Sequence, residues 1–298
     1  MAPRRCLSVV IAVAAFVGAS EVAWGQGRSL ASVSFEIVPK VSLVGMPPGQ
    51  PVEIGMSTLR TALTVPYFIK STKTVLLPGA SYGLNMVSVD GVTEPPSRWH
   101  QVGLSLGLMQ ILSRRWRTLM MLRPSIAGDF KDIDGDHFRF SGVALGIVQI
   151  KPNLAFGFGL VANYQFGELL PLPGLMLRWE PLEGLLVDIF LPAFLRTSYT
   201  WAGRIEVGVE LMMSGNRYTI RDNELVDNVR YTQVDGGGFL ALRLVSLLWL
   251  KAYGGAGLYR RFDIYDKAGD AIRDFEFERG PVLRVGLEFR MPRRRRKK

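Results

Sequence analysis

The chain has 298 residues and a formal net charge of +10; 48% of its residues are hydrophobic, 21% charged and 10% aromatic, with 32 glycines. That balance is too polar for a bundle of membrane helices, and no segment beyond the first 25 residues holds the long uninterrupted apolar run such a helix needs. Nor does the charge indicate a nucleic-acid-binding fold: Arg293, Arg294, Arg295, Arg296, Lys297 and Lys298 supply most of it, and the body between leader and tail carries only about +3.

Residues 1–25 read as a secretory leader. Arg4 and Arg5 precede a short stretch of apolar and small residues, 7–19, and Ala23 and Gly25 are small at the two positions a signal peptidase reads, so cleavage is expected before Gln26. Cys6, the sole cysteine, leaves with the leader, and the mature chain has neither a disulfide framework nor a thiolate metal site.

From there the chain alternates. Side chains on a strand point to opposite faces in turn. Val33, Phe35 and Ile37 open the pattern, and Leu59, Leu63, Val65, Tyr67 and Ile69 continue it after the turn at Pro47 and Pro48. Residues 74–88 form a third strand, in which Pro78 suggests a bulge or break. Residues 98–112 follow a loop at 90–96. Met109 and Ile111 there fall on the small-residue face, which a bulge near Met109 would repair. Residues 116–127 and 137–150 flank an acidic loop, 128–136.

Residues 154–166 carry the cleanest alternation: Phe156, Phe158, Leu160, Tyr164 and Phe166 on one face, Ala155, Gly157, Gly159, Asn163 and Gln165 on the other. A loop at 167–173 leads to short strands at 174–180, 185–191 and 194–201. Residues 203–213 alternate again, and 214–228 read as a long polar loop. Long strands at 229–246 and 248–264 follow. In the first of these the run Gly236, Gly237 and Gly238 suggests a bulge or a bend in the wall. A charged loop at 265–280 leads into the last strand, 281–291.

Short turns alternating with longer loops predict an all-β, closed antiparallel up-and-down transmembrane barrel of about 12 strands, range 10–14, spanning residues 26–291 and followed by a basic tail, 292–298. The large apolar face would meet lipid. Trp99, Trp116, Tyr164, Phe166, Trp179, Trp201 and Phe289 lie near strand ends, as an interfacial girdle would. The polar face would line the lumen with Arg178, Glu180, Arg204, Glu206, Glu210, Arg243, Arg284, Glu288 and Arg290, whose mixed charges would pair and constrict it. The competing architecture is a secreted soluble ligand-binding barrel or sandwich.

Chemistry-bearing clusters are sparse. Asp132, Asp134 and Asp136 resemble the start of a calcium loop, but Val143 stands where the closing glutamate belongs, so a hairpin tip is the preferred reading. A lipid-modifying barrel enzyme would need His137 or His100, and Ser141 sits four residues beyond His137 on the same face. No cofactor fingerprint is present, and the expectation is a non-enzymatic barrel. The tail reads first as solvated and second as a ligand for anionic lipid head groups or a periplasmic polyanion.

Leu283, Val285, Leu287 and Phe289 resemble the terminal aromatic strand that the barrel-assembly machinery recognises, with nine residues following it. The motifs Gly157-Phe158-Gly159-Leu160, Leu170-Pro171-Leu172-Pro173, Trp179-Glu180-Pro181 and Leu191-Pro192 resemble a family of Gram-negative outer-membrane proteins classed as a domain of unknown function. The resemblance implies a barrel in the outer membrane, a narrow porin-like channel or a structural barrel, with lipid and the assembly machinery as partners. It transfers no catalytic residues.

Overall fold

Sixteen strands follow one another among the described residues. They are β1 (Ser29–Ser42), β2 (Glu53–Thr64), β3 (Tyr67–Ile69), β4 (Thr74–Val89), β5 (Arg98–Ile111), β6 (Trp116–Gly128), β7 (Phe138–Lys151) and β8 (Leu154–Asn163). Then come β9 (Leu170–Trp179), β10 (Leu185–Leu191), β11 (Phe194–Trp201), β12 (Ile205–Thr219), β13 (Asn228–Arg243), β14 (Leu248–Tyr265), β15 (Ala271–Glu276) and β16 (Gly280–Arg290). The computed structural model describes residues 29–44, 52–69, 71–89, 98–163, 169–222 and 224–290. The leader, the loop at 90–96, Tyr164, Phe166 and the basic tail lie outside the described residues.

Leaving aside β3 and β15, each strand pairs antiparallel with the next along the chain, β2 with β4 and β14 with β16, and β1 pairs with β16, so the sheet closes on itself. β2 and β3 are one stave interrupted at Val65 and Pro66: Thr64 opposes Gly79 and Tyr67 opposes Leu76 in the same register. β15 is a hairpin arm that pairs with β14 alone. The barrel therefore has fourteen staves, the upper end of the expected range.

Burial is inverted relative to a soluble protein. Leu104 is 63% exposed, Leu122 64% and Leu160 62%, whereas Glu36 and Asp235 are 1% exposed and Glu288 2%. Leaving a large apolar side chain in water forfeits about 1.5–3 kcal/mol. Repeated along every outward row, that exceeds the ~5–15 kcal/mol by which a protein is net stable. Lipid on the outside removes the cost, and closure leaves no unpaired edge facing it. The start of β1, the end of β16 and the short turns at 112–115, 152–153, 202–204 and 244–247 lie on one rim. Trp116, Trp179, Trp201 and Phe289 are exposed there as a girdle. Trp99 does not join them; it is 2% exposed and points into the lumen.

Several local readings change. Met109 needs no bulge: β5 holds one register with both neighbours, and Met109 faces inward because part of the lumen is apolar. Pro78 does not interrupt β4; its carbonyl accepts from the Val65 amide beside the break in the opposing stave. β12 continues to Thr219, because Ser214 and Asn216 are polar for the lumen rather than for a loop. β9 begins at Leu170 despite Pro171 and Pro173. β10 pairs only with 175–179, so the prolines occupy an edge segment, where a missing N–H is tolerated. The bulge lies on the facing strand rather than in the glycine run: Val234 opposes Tyr259 and Asp235 opposes Gly257, with Leu258 of β14 extra, while Gly236, Gly237 and Gly238 keep one register.

Strand length sets the shape. β13 and β14 have 16 and 18 residues, whereas β10 and β11 have 7 and 8. The wall is consequently low at β8–β11. Above it, β6 meets β12 directly, through a parallel bridge between Gly128 and Thr219.

Candidate functional site in the barrel lumen

Inward positions of β1, β2, β11–β14 and β16 carry a ladder of buried charge. At the turn end Arg290 lies 2.5 Å from Glu206 and 2.5 Å from Glu288, and Arg196 reaches Glu206 at 3.1 Å. One level higher Lys251 Nζ donates to Glu210 at 2.8 Å, and Lys251 and Arg196 both lie over the Phe239 ring, at 4.4 and 4.3 Å. In the middle Arg284 Nε donates to Glu36 at 2.8 Å and stands 3.5 Å from Glu210 and 3.8 Å from Asp235. Arg260 closes on Asp235 at 2.9 Å and Arg60 on Glu36 at 3.4 Å. The Arg284 guanidinium also sits 5.0 Å from the Tyr253 ring. That ring fits because Gly237 and Gly255 are paired beneath it; a Cβ on Gly255 would come within 2.5 Å of the Tyr253 hydroxyl.

The opposite wall is apolar, with Val75, Leu77, Met109, Leu119, Leu145, Ile147 and Phe190 packed together. The loop end is stopped by aromatics: Trp99 stacks on Tyr218 at 5.3 Å, and Phe262 packs against Trp99, Tyr231 and Phe277. Asn85 ties this plug across the lumen, donating to the Tyr218 hydroxyl at 2.7 Å and accepting from Thr58 at 2.8 Å. Between ladder, apolar wall and plug remains a small cavity, edged by Ser32, Ser34, Ser81, Gln101, Arg123 and Arg284.

A clasp closes the gap above the low wall. Arg139, 6% exposed, donates to the Arg217 carbonyl at 3.2 Å, the Thr219 hydroxyl at 2.8 Å and the Phe138 carbonyl at 2.9 Å, satisfying backbone that the short strands leave unpaired. Gly128 permits the close approach; a Cβ there would stand 2.4 Å from the Thr219 carbonyl oxygen. In the loops above, Arg221 binds Asp134 at 2.7 Å, Asp136 at 2.9 Å and Asp227 at 2.5 Å, and Asp129 accepts from the amides of Arg221 and Asp222.

Of the nine anticipated lumen residues, Arg178, Glu206, Glu210, Arg284, Glu288 and Arg290 face the interior, with Arg178 3.8 Å from Asp188. Arg204 and Arg243 are corrected: both keep strand parity but lie at the turn rim, exposed, and Arg243 donates to the carbonyls of Ser246 and Gly203. Glu180 is also corrected. It follows the last residue of β9, its amide held by the Asn153 carbonyl. Glu36, Arg196 and Lys251 went unnoticed, although each alternates with outward apolar neighbours. Arg260 was hidden, because the bulge at Leu258 shifts the parity of β14.

The candidates for chemistry are elsewhere. Asp134 caps the single turn Gly135–His137 and, with Asp136, is taken up by Arg221; Asp132 is exposed. His137 is buried against Asp134, 2.9 Å from Nδ1 to Oδ1, while Ser141 Oγ lies 3.5 Å from the Arg123 carbonyl. His100 sits on the outer face between Tyr82 and Phe130.

Hydrogen bonds from Arg221 and then His137 hold the Asp134 carboxyl below its ordinary 3.8, at about 2. A depressed carboxylate contributes its stabilisation above the unfolded value and loses it as pH falls through the folded one. Acidification from about pH 4 to about pH 2 is therefore expected to loosen the clasp loops. Pepsin nicking within 129–137 or 220–227 should rise over that window in the parent, and should be high throughout it in Asp134→Asn. An unchanged nicking rate across the window in the parent would show that Asp134 does not hold the loops.

An apolar outside, a closed wall and a charged inside define a transmembrane β-barrel of the outer-membrane type. The chain belongs to the family described as a domain of unknown function, DUF6268, which matches residues 84–290. A search of curated proteins finds no match. Among solved structures the chain is similar to a Pseudomonas aeruginosa FadL homologue, at 10% identity and a TM-score of 0.39 over 93% of this chain and 94% of that one. It is also similar to the translocator domain of the autotransporter NalP from Neisseria meningitidis, at 12% identity and 0.36 over 94% and 97%. A third is the KdgM porin in complex with disordered oligogalacturonate, at 8% identity and 0.35 over 87% and 98%. At such values the assignment rests on the burial pattern and the family match.

Proposed function

We propose that the protein resides in the outer membrane of a Gram-negative bacterium, exported by its 1–25 leader and inserted by the barrel-assembly machinery, and works there as a narrow, gated conduit, non-catalytic and closed at rest. The observation that carries this reading is the filled lumen: the Arg290–Glu206 to Arg260–Asp235 ladder occupies one half and the Trp99–Tyr218–Phe262 plug stops the loop end, yet a small cavity persists between them. Mixed charge lining a constriction is how a pore discriminates among polar solutes.

Refolded protein in a planar bilayer is expected to be silent apart from rare brief openings, whereas Trp99→Ala, which removes the centre of the plug, should conduct steadily. Steady conductance of the parent would overturn the closed state. Recovery in the soluble fraction without detergent, with no heat-modifiable gel mobility, would overturn the membrane location.

A further inference from the structure

Charge is spread unevenly around the lumen. The ladder sets Arg60, Arg196, Lys251, Arg260, Arg284 and Arg290 against the carboxylates Glu36, Glu206, Glu210, Asp235 and Glu288, so that half is nearly neutral. The other half is not. The strands β4 to β9 contain no Asp or Glu at all, yet Arg117, Arg123, Arg139 and Arg178 lie at their inward positions. Arg117 and Arg123 share the parity of the buried Leu119 and Met121, and oppose Ile147 and Ser141 on β7. On β10 Asp188, beside Arg178, adds one inward carboxylate to that side. The lumen as a whole therefore turns more cations inward than anions. The central cavity repeats the bias: Arg60, Arg123 and Arg284 edge it among serine hydroxyls and the Gln101 amide, and among the described residues no carboxylate does.

We propose that the conduit, when open, passes small inorganic anions in preference to cations, and that Arg123 is the residue that discriminates. The inference deepens the conduit reading and rests on it. Arg60 and Arg284 stand against ladder carboxylates, which cancel much of their field. Arg123 edges the same cavity from β6, amid strands without acidic residues. Its guanidinium keeps its charge where water is scarce. A passage lined by one sign of charge between apolar walls focuses that field on the solute. An anion is drawn in, and a cation of the same size meets a barrier. The hydroxyls along the cavity can donate to an anion that has shed part of its water. The cavity is small, which suits an inorganic ion rather than a larger organic acid.

The test is the reversal potential of full-length barrel in a planar phosphatidylcholine bilayer, with heat-modifiable mobility checked first for every variant. A ten-fold KCl gradient is set around 0.1 M, where a charge is felt over about 10 Å. The ratio of chloride to potassium permeability is read from the steady current of Trp99→Ala and from the rare openings of the parent. Chloride should be favoured about five-fold or more, a unit charge beside the path being felt even through water. In the Trp99→Ala background, Arg123→Gln should lower the ratio to about two, and Arg123→Glu should bring it below one. Arg123→Lys should keep the preference for chloride, which separates charge from packing. Should the Arg123 variants fail to give a folded barrel, Arg117→Gln is expected to lower the ratio in the same direction. A ratio at or below one with Arg123 in place, or a ratio that none of these charge removals shifts, would overturn the proposal. Conduction without preference for chloride thus sinks the selectivity alone, whereas the absence of any opening in Trp99→Ala sinks the conduit and the selectivity with it.

Discussion

Replacing Arg284 by alanine is expected to give the largest loss of stability of any single lumen substitution. Its guanidinium is bound to Glu36 and stands within 4 Å of Glu210 and Asp235. Without it three carboxylates crowd one level of the lumen with Arg60, Lys251 and Arg260 left to answer them. Removing one partner of a buried pair costs about 3–5 kcal/mol, because the remaining charge stays in a poor solvent. The measurement is the temperature at which the folded, fast-migrating gel band disappears. Arg284→Lys should fall between parent and alanine, keeping the charge and losing the fork. Arg284→Met combined with Glu36→Leu should recover most of the loss, since a buried pair and an apolar pair of similar volume are often equivalent. An alanine variant as stable as the parent would mean that water reaches the ladder, and the closed lumen would fall with that result.

The second large effect is expected at Arg139. Its guanidinium donates to the backbone of Asp136, Phe138 and Arg217 and to Thr219. A hydrogen bond to a charged donor contributes about 1.5–3 kcal/mol, so Arg139→Ala removes several at once from the contact between β7 and the upper part of β12. Amide exchange should accelerate at 138–141 and 214–219 and stay unchanged in the β13–β14 ladder, whose strands pair along their whole length. Planar bilayers should show longer and more frequent openings than the parent's rare brief ones. Unchanged exchange together with a silent bilayer would show that the Gly128–Thr219 bridge and the Arg221 loops hold the gap without it.

The alternation of residues such as Phe156, Phe158 and Leu160 carries the barrel and its inside-out sense, because a side-chain period of two is a local property of the chain. Six of the nine anticipated lumen charges follow from that same parity. The remainder fails where parity stops being the rule. Arg204 and Arg243 keep the phase but sit at the rim, Arg204 one step before β12 and Arg243 at the last residue of β13. Arg260 joins the ladder because a bulge slides β14 by one residue, and nothing in the local pattern at Leu258 and Tyr259 announces it. Trp99 has the spacing of a girdle residue and the environment of a plug, and the difference lies in which distant strands surround it. The clasp was least legible. It joins Arg139 to Arg217 and Thr219 across about 80 residues of sequence, and its necessity comes from the shortness of strands in between.

That shortness also acts on the surroundings of the protein. A strand rises about 3.3 Å per residue, so the seven residues of β10, tilted by about 40°, reach roughly 18 Å, against an apolar band of about 25 Å around a typical barrel. On the β14 side the same arithmetic gives roughly 46 Å for 18 residues. One flank therefore suffers hydrophobic mismatch while the other does not. The bilayer must thin beside β10 and β11, at a fraction of a kcal/mol per Å. A barrel that deforms its membrane on one side only has a preferred direction within the plane, and a neighbour that also thins the bilayer is drawn to that flank to share the dimple.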